Sequence, residues 1–320
     1  MTPFHDLAHD ITTIDTGLVR PGFTASHLII EKDEAAFVDV AATAQCSRLT
    51  QVLAAKGVAP EQVRYLVVTH VHLDHAGSAG TLLPHFPNAL IVVHPRGARH
   101  LIDPEKLMAG ATAVYGEELL HNLFGAMVPA PPERVLPAED ETILDLAGRR
   151  LLIRHTDGHA RHHLCVVDER SQGIFTGDTF GLSYREFDTE QGHFIFPATA
   201  PVQFEPDAMH ASIDLLMDYR PERVYLTHFG QVTDVARLAE RLRETIAQCV
   251  EIAQNIPPYS EERYRTLFEN LEQLLLAKLS THGCTLPTET IRALLRPDLE
   301  LNVMGLEVWL DRLQKQQKNA

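Results

Sequence analysis

The chain has 320 residues, of which 45% are hydrophobic and 22% are charged, and its four cysteines are scattered without C-x-x-C spacing. Such a composition predicts a globular protein with reduced thiols in a reducing compartment, and nothing in it suggests a disulfide framework. The formal net charge of −15 argues against nucleic acid as a partner, because nucleic-acid binding depends on basic patches, and favours a small-molecule substrate.

The N-terminal segment MTPFHDLAHDITTIDTG has no basic start followed by an apolar stretch, and no run along the chain approaches 18 apolar residues. We therefore expect neither a signal peptide nor a transmembrane helix. These features predict a cytoplasmic protein without a membrane partner.

In the first half of the chain, patterns typical of strands and helices alternate. The predicted order is a β-hairpin over 27–31 and 35–40, a helix over 47–58, a strand over 64–70, a short helix, and a strand over 89–95. A mainly helical stretch follows over 96–134. This rhythm predicts an α/β fold with helices packed outside a sheet.

Strands return in the second half, and helices alone follow them. The predicted strands cover 149–156, 163–169, 173–178 and 223–230, with a helix over 207–219. The later predicted helices cover 235–254, 260–279, 288–295 and 306–317. We therefore predict a catalytic domain over residues 1–235 and an all-helical C-terminal extension over 236–320.

The stretch THVHLDHAG, residues 69–77, places three histidines and an aspartate directly after the apolar run YLVV. Imidazole and carboxylate groups are ligands for zinc, manganese and iron. Residues two apart in an extended segment face the same way, so His70 and His72 are expected to converge on one ion. The turn that follows directs Asp74 and His75 towards a second point. One segment thus predicts two adjacent metal sites.

Three further candidate ligands occur at or just after later strand-like runs. They are His159 in RHTDGHA, Asp178 in GIFTGD and His228 in VYLTHFG. Strand ends can deliver side chains precisely to one rim of a sheet. Any one of them alone could be a supporting or surface residue, but together with the first motif they predict a ligand set for two metal ions.

The motifs THVHLDH, TDGHA, FTGD and THFG, in this order, resemble the metallo-β-lactamase fold in its glyoxalase II-related hydrolase branch, over about residues 10–230. The resemblance implies an αββα sandwich. The ligands that it implies for a first metal ion are His70, His72 and His159. Those for a second metal ion are Asp74, His75 and His228. The residue that it implies as a bridge between the two ions is Asp178. It also suggests Asp39, in FVDV, as a partner of a ligand histidine.

The same resemblance implies a metal-dependent hydrolase with two divalent ions, zinc first, with iron or manganese as alternatives that the same ligands accept. A hydroxide bridging the ions would be the nucleophile, because metal-bound water has a pKa of about 7. Asp74 is the expected catalytic residue, which would orient the hydroxide and take its proton. The expected substrate is a small ester, thioester or lactone. The stretch GDTFGLSYREF differs from the corresponding stretch of glyoxalase II and disfavours glutathione thioesters.

Two other functions stay open. One is a single-iron oxygenase resembling persulfide dioxygenase, which would use the first site and fewer ligands of the second. The other is a non-catalytic effector that retains the site and uses the helical extension as a partner surface. The complete second set, Asp74, His75 and His228, favours the two-metal hydrolase.

Three more residues are candidates for supporting or substrate-contacting roles. His163 is expected either as a proton relay or substrate contact, or as a histidine packed near the ligands. Tyr184 and His193 belong to the irregular segment 183–201, which either lines a pocket or is a surface excursion. The C-terminal helices are expected to influence substrate range or to form a homodimer contact, and metal binding is expected to persist without them.

Overall fold

A computed structural model describes residues 4–199, 202–257 and 262–319, the last three of these by their backbone alone. The described residues form two compact units. The first, which we call the sandwich unit, draws on Met1–His155, His162–Gly177 and Pro221–Val232. The second, which we call the helical unit, draws on Thr156–Arg161, Asp178–Arg220 and Thr233–Ala320. The predicted domain boundary at residue 235 stays a prediction.

The first sheet of the sandwich unit contains seven strands among the described residues, in the order β1-β2-β3-β4-β5-β6-β7. They are β1 (Phe4–Asp6), β2 (Ile11–Asp15), β3 (Ala25–Glu31), β4 (Glu34–Val38), β5 (Val63–Val67), β6 (Leu90–Val93) and β7 (Val135–Pro137). Strands β1 to β4 pair antiparallel, which confirms the predicted hairpin as β3 and β4. Strands β4 to β7 pair parallel, so their carboxyl ends lie at one edge.

The second sheet has the order β13-β12-β11-β10-β9-β8 within the described part of the chain. Its strands are β8 (Ile143–Leu146), β9 (Arg149–His155), β10 (Leu164–Asp168), β11 (Gly173–Gly177), β12 (Arg223–Leu226) and β13 (Gly230–Thr233). Strands β11 and β12 are parallel, whereas β8 to β11 pair antiparallel.

The hydrophobic core of the sandwich unit lies between the two sheets. Val67 and Val92 from the first sheet and Ile153, Val166 and Phe175 from the second belong to one buried cluster, and each is fully buried. Burial of such side chains is the main source of folding stability. Two facing sheets with a shared core give the predicted sandwich.

The helices of the sandwich unit connect its parallel strands. They are α1 (Cys46–Ala55), α2 (Leu73–Ala76), α3 (Ala79–Leu82), α4 (Pro95–Ile102), α5 (Glu105–Tyr115) and α6 (Glu117–Leu123). Helix α1 buries Leu49, Val52 and Leu53, which lie on one face at helical spacing. The helices end earlier than the predicted stretch over 96–134, since α6 ends at Leu123. A loop and the 3₁₀ turn Pro132–Arg134 then lead to strand β7.

The helical unit contains α7 (Pro206–Asp218), α8 (Val235–Gln254), α9 (Arg263–Thr281) and α10 (Thr288–Asn319). The predicted helix from Ser260 corresponds to α9, and its predicted first residues, 260 and 261, lie outside the described residues. Over the residues that the structure describes, no helix combines the length and apolar character needed to cross a membrane.

The prediction of two short helices over 288–295 and 306–317 is wrong, because α10 runs through both without interruption. Pro297 lies inside it and removes one backbone hydrogen bond. The apolar face nevertheless continues across the proline, and its buried residues are Ile291, Leu295, Leu299, Val303, Leu306 and Leu310. Packing of this face on α8 and α9 outweighs the local cost of the proline.

Candidate metal centre

The candidate ligands of the sandwich unit lie just beyond strand ends. His70 follows β5 and His228 follows β12, while Asp74 and His75 lie in the single turn of α2. Asp39 directly follows β4, which is the parallel neighbour of β5. The sheets thus bring together side chains that are far apart in the sequence.

His70 and His72 converge, as the extended spacing predicts. His70 Nε2 lies 2.8 Å from His72 Nδ1, and the two ring centroids are 4.3 Å apart. His70 is fully buried and His72 is partly buried. Two imidazole nitrogens this close form part of a donor set suited to zinc, manganese or iron.

Asp74, His75 and His228 form a second group within the sandwich unit. Asp74 Oδ2 lies 3.2 Å from His228 Nε2 and 3.4 Å from His75 Nε2. Each residue offers one ligand atom, and these atoms lie within 4.8 Å of one another. Two imidazoles and a carboxylate at this spacing fit a divalent transition-metal ion.

The charge state of Asp74 suits a ligand. Burial raises the pKa of this carboxyl, but the positive charge of His75 and hydrogen bonds from His228 and His75 outweigh burial, so its pKa lies well below the usual range. Near neutral pH the carboxylate is therefore ionised, which is the form that binds a metal ion.

Asp39 supports this group through a hydrogen bond to His75. Its Oδ2 accepts hydrogen bonds from His75 Nδ1 at 2.7 Å and from Thr227 Oγ1 at 2.6 Å. Its Oδ1 accepts from the backbone N–H of Thr69 at 2.8 Å and from the Thr69 hydroxyl at 2.9 Å. Because Nδ1 of His75 carries the donated hydrogen, its other nitrogen, Nε2, is the one directed towards Asp74.

Sequence reasoning missed Thr69 and Thr227, which hold Asp39. A signal for both was present, because each precedes a candidate ligand in a Thr-His pair at a strand end, at residues 69–70 and 227–228. The repeat of this pair on two strands was the pattern that could have revealed them.

His163 packs against His70, with ring centroids 5.0 Å apart, and it is fully buried. The neighbouring Gly177, in FTGD, has a φ of +48°, and a Cβ there would lie 2.6 Å from Thr69 Oγ1 and 2.7 Å from His163 Nε2. A larger residue would collide with both side chains, so glycine is required at this position. A role for His163 in proton transfer or substrate binding stays a prediction.

His159 and Asp178 form a pair within the helical unit. His159 Nε2 lies 3.5 Å from Asp178 Oδ2, and both residues are buried. His159 Nδ1 donates a hydrogen bond to the Ala198 carbonyl at 2.9 Å. Gly158 precedes the histidine with a φ of +131°, and a Cβ there would lie 2.4 Å from Met209 Cα. The glycine of TDGHA thus lets the chain pass close to α7.

Tyr184 and His193 both have protein partners in the helical unit. Tyr184 is fully buried and its hydroxyl donates to Asp298 Oδ2 at 2.9 Å. His193 is partly exposed, and its Nδ1 accepts a hydrogen bond from the Arg185 guanidinium at 2.6 Å. Contact of either residue with a substrate stays a prediction. The predicted irregular segment 183–201 is described up to residue 199.

The family model described as the metallo-beta-lactamase superfamily matches residues 19–228, which is more than half of the chain. The chain belongs to the metallo-beta-lactamase superfamily. Membership confirms the fold that the four motifs predicted. It also agrees with the histidine and aspartate cluster, which suits divalent metal ions.

Among sequence relatives, the metallo-beta-lactamase fold-containing protein ST1585 of Sulfurisphaera tokodaii is 27% identical over 192 residues, which is 59% of this chain and 68% of that protein. The acyl-coenzyme A thioesterase MBLAC2 of Gallus gallus is 29% identical over 119 residues, 35% of this chain and 40% of that protein. The second match therefore covers less than half of either protein.

Solved structures show the same fold over nearly the whole chain. The structure of ST1585 matches with a TM-score of 0.65 and 22% identity, covering 94% of this chain and 99% of that one. The metallo-beta-lactamase family protein TTHA1429 of Thermus thermophilus matches with a TM-score of 0.68 and 22% identity, covering 95% of this chain and 94% of that one. Likeness at this identity shows the fold alone.

Proposed function

We propose that the protein is a binuclear metal-dependent hydrolase of a small acyl substrate. The observation that supports it is the group formed by Asp74, His75 and His228, with Asp39 behind it. A hydrolase with two ions needs this second set of ligands, whereas a single-iron oxygenase would need fewer of them. The complete second set therefore favours the hydrolase over its rivals.

The proposed ligand assignment follows the motifs. His70, His72 and His159 would hold the first ion, the group of Asp74, His75 and His228 the second, and Asp178 would bridge them. The close pairs His70–His72 and His159–Asp178 support this assignment. Zinc is the first choice of metal, with iron or manganese as alternatives. When bound, such ions lower the pKa of water to about 7 and polarise an acyl carbonyl.

The chain's own residues would do the remaining work. Asp74 would orient the attacking water and hold its proton at a carboxylate oxygen before the leaving group takes it. Asp39 would keep the His75 ring in one orientation through the Nδ1 hydrogen bond. The fold fixes both carboxylates, Asp39 directly after β4 and Asp74 in α2, which follows the neighbouring strand β5, and this limits reorganisation during the reaction.

The substrate class is proposed as a thioester first, with esters and lactones as alternatives. The likeness to an acyl-coenzyme A thioesterase supports this order. The net charge of −15 supports a small-molecule substrate over nucleic acid. A cytoplasmic location and a homodimer through the C-terminal helices stay predictions.

The test is thiol release from acyl-coenzyme A substrates, alongside aryl esters and lactones, by the zinc-loaded chain. Turnover should stop with chelator, and Asp74→Asn should lower it by at least about 100-fold. Asp214→Asn, at a side chain 68% exposed, is the control and should keep full turnover. Full turnover by Asp74→Asn, or oxygen uptake with a persulfide in place of acyl hydrolysis, would overturn the proposal.

A further inference from the structure

Two buried polar residues lie one turn apart on the otherwise apolar inner face of α10. They are Asp298 and Asn302, each 5% exposed, and each is followed directly by a fully buried apolar residue, Leu299 and Val303 respectively. A buried amide or carboxylate destabilises a fold unless it is hydrogen-bonded, so each must have a specific partner. Their partners identify what this face of α10 holds in place.

Asn302 holds a short stretch of the irregular segment. Its Oδ1 accepts from the backbone N–H of Thr199 at 2.7 Å, and its Nδ2 donates to the Pro197 carbonyl at 2.9 Å. The Thr199 hydroxyl also donates to the backbone carbonyl of Asn302 at 3.0 Å. These three bonds fix the chain on both sides of Ala198.

The carbonyl of Ala198 in turn holds His159. It lies 2.9 Å from His159 Nδ1, and a carbonyl can only accept, so Nδ1 carries the hydrogen. The ring therefore directs Nε2 towards Asp178, whose Oδ2 is 3.5 Å away. A carbonyl that fixes the tautomer and orientation of a ligand histidine raises its metal affinity.

Asp298 contacts the same irregular segment near its first residue, at Tyr184. Its carboxylate accepts from the Tyr184 hydroxyl at 2.9 Å. Leu182 and Phe196 exchange two backbone hydrogen bonds of 2.8 and 3.0 Å. Phe196 directly precedes residues 197–199, the stretch held by Asn302. Both polar residues of α10 thus contact the irregular segment, which contains Ala198, the hydrogen-bond partner of His159.

We infer that Asn302 is a positioning residue for His159, acting through residues 197–199, so that α10 is part of the support for the first metal ion. This inference rests on the proposed function only in taking His159 as a metal ligand. It replaces the expectation that metal binding is independent of the C-terminal helices. The sequence separation of 143 residues between Asn302 and His159 explains why no local pattern indicated it.

The test measures the affinity of the metal-free, full-length chain for Co(II) alone, by visible absorption in competition with a chelator. Asn302→Ala should weaken binding of the first ion by about 10–100-fold. Thr199→Val keeps the side-chain volume and removes one of the three bonds, so its affinity should fall between that of Asn302→Ala and the unmodified chain. This second variant decides the question if Asn302→Ala fails to fold.

Leu299→Ala is the matched control, because it removes a buried side chain from the same helix and none of the three hydrogen bonds to residues 197–199. It should lower the unfolding temperature and leave Co(II) affinity unchanged. Normal affinity in both Asn302→Ala and Thr199→Val would overturn the inference. An equal loss of affinity in Leu299→Ala would overturn it as well, since general destabilisation would then explain the effect.

His159→Ala separates this inference from the proposed function. If His159→Ala binds Co(II) like the unmodified chain, the ligand assignment itself is wrong. If His159→Ala weakens binding while Asn302→Ala does not, only the positioning role is wrong.

Discussion

Asp39 is a buried carboxylate that joins the ends of three strands. Its hydrogen bonds reach Thr69 after β5, Thr227 after β12 and His75 in α2, while Asp39 itself follows β4. Its carboxylate offers only acceptors, and the groups of Thr69, Thr227 and His75 that face it are donors, so each of these contacts is a hydrogen bond. One residue therefore stabilises the sandwich unit and orients a proposed metal ligand.

We expect Asp39→Asn to lower the free energy of unfolding by about 2–3 kcal/mol, because an amide N–H₂ would face buried donors. Thr227→Val removes a single bond and should cost about 1 kcal/mol. Urea denaturation of the metal-free chain measures both, with Asp33→Asn at an exposed position as control. Equal stability of Asp39→Asn and the control would contradict the role given to Asp39.

Because His27 is buried, we expect the free energy of unfolding to depend on pH in the acid range. Burial among Phe175, Tyr225 and the carbonyl of Leu226 lowers the pKa of His27 to about 4, against the opposing hydrogen bond to Leu226 and charge of Asp39. In the unfolded chain a histidine has a pKa of about 6.5, so the unfolded state binds the extra proton between these values. The contribution of a neutral His27 is complete above pH 6.5 and is lost as the pH falls towards 4.

Replacement of His27 by glutamine should therefore flatten the curve of unfolding free energy against pH. The wild-type chain should lose about 3 kcal/mol more than His27→Gln between pH 6.5 and 4. The control is His121→Gln, at an exposed histidine. A His27→Gln curve parallel to the wild type over this range would show that His27 is not buried in its neutral form.

The sequence indicated the proposed ligands by their residue types, but it did not indicate every group that hydrogen-bonds to them. His70, His72, Asp74 and His75 stand within six positions, so their chemistry is readable from spacing alone. Ala198 acts through a backbone carbonyl, which every residue type possesses. No side-chain pattern can indicate such a group, and only the folded chain shows that it faces His159.

At the scale of elements, prediction succeeded where the apolar period was clean. Strand β6 and helix α8 follow their patterns closely. Strand β2 was missed because it reads ITTID, whose buried threonines interrupt the apolar pattern. Short strands such as β7, with three residues, give too few positions for any period to be recognised.

Helix α10 shows tertiary packing overriding a local signal. We expect Pro297→Ala to raise the free energy of unfolding by about 1 kcal/mol, because residue 297 would regain a hydrogen bond to the Ala293 carbonyl. Arg296→Ala, at a neighbouring side chain 71% exposed, is the control and should change stability by less than about 0.5 kcal/mol. Loss of stability in Pro297→Ala would instead show that α10 requires a bend at this residue.

At the scale of the whole chain, the net charge of −15 bears on how bound metal ions would affect stability. Two divalent ions would neutralise part of the negative charge at the proposed ligands, and ions that bind only the folded state stabilise it. We expect chelation to lower the unfolding temperature and re-addition of zinc to restore it. An unfolding temperature that is unaffected by chelation would argue that no metal is bound.

The most direct test of the proposed binuclear hydrolase is the number of metal atoms per purified chain, measured by elemental analysis. We expect two divalent ions per chain in the unmodified protein and one in His228→Ala, which removes a proposed ligand of the second site. A single iron in both proteins, or no metal in either, would contradict the proposal.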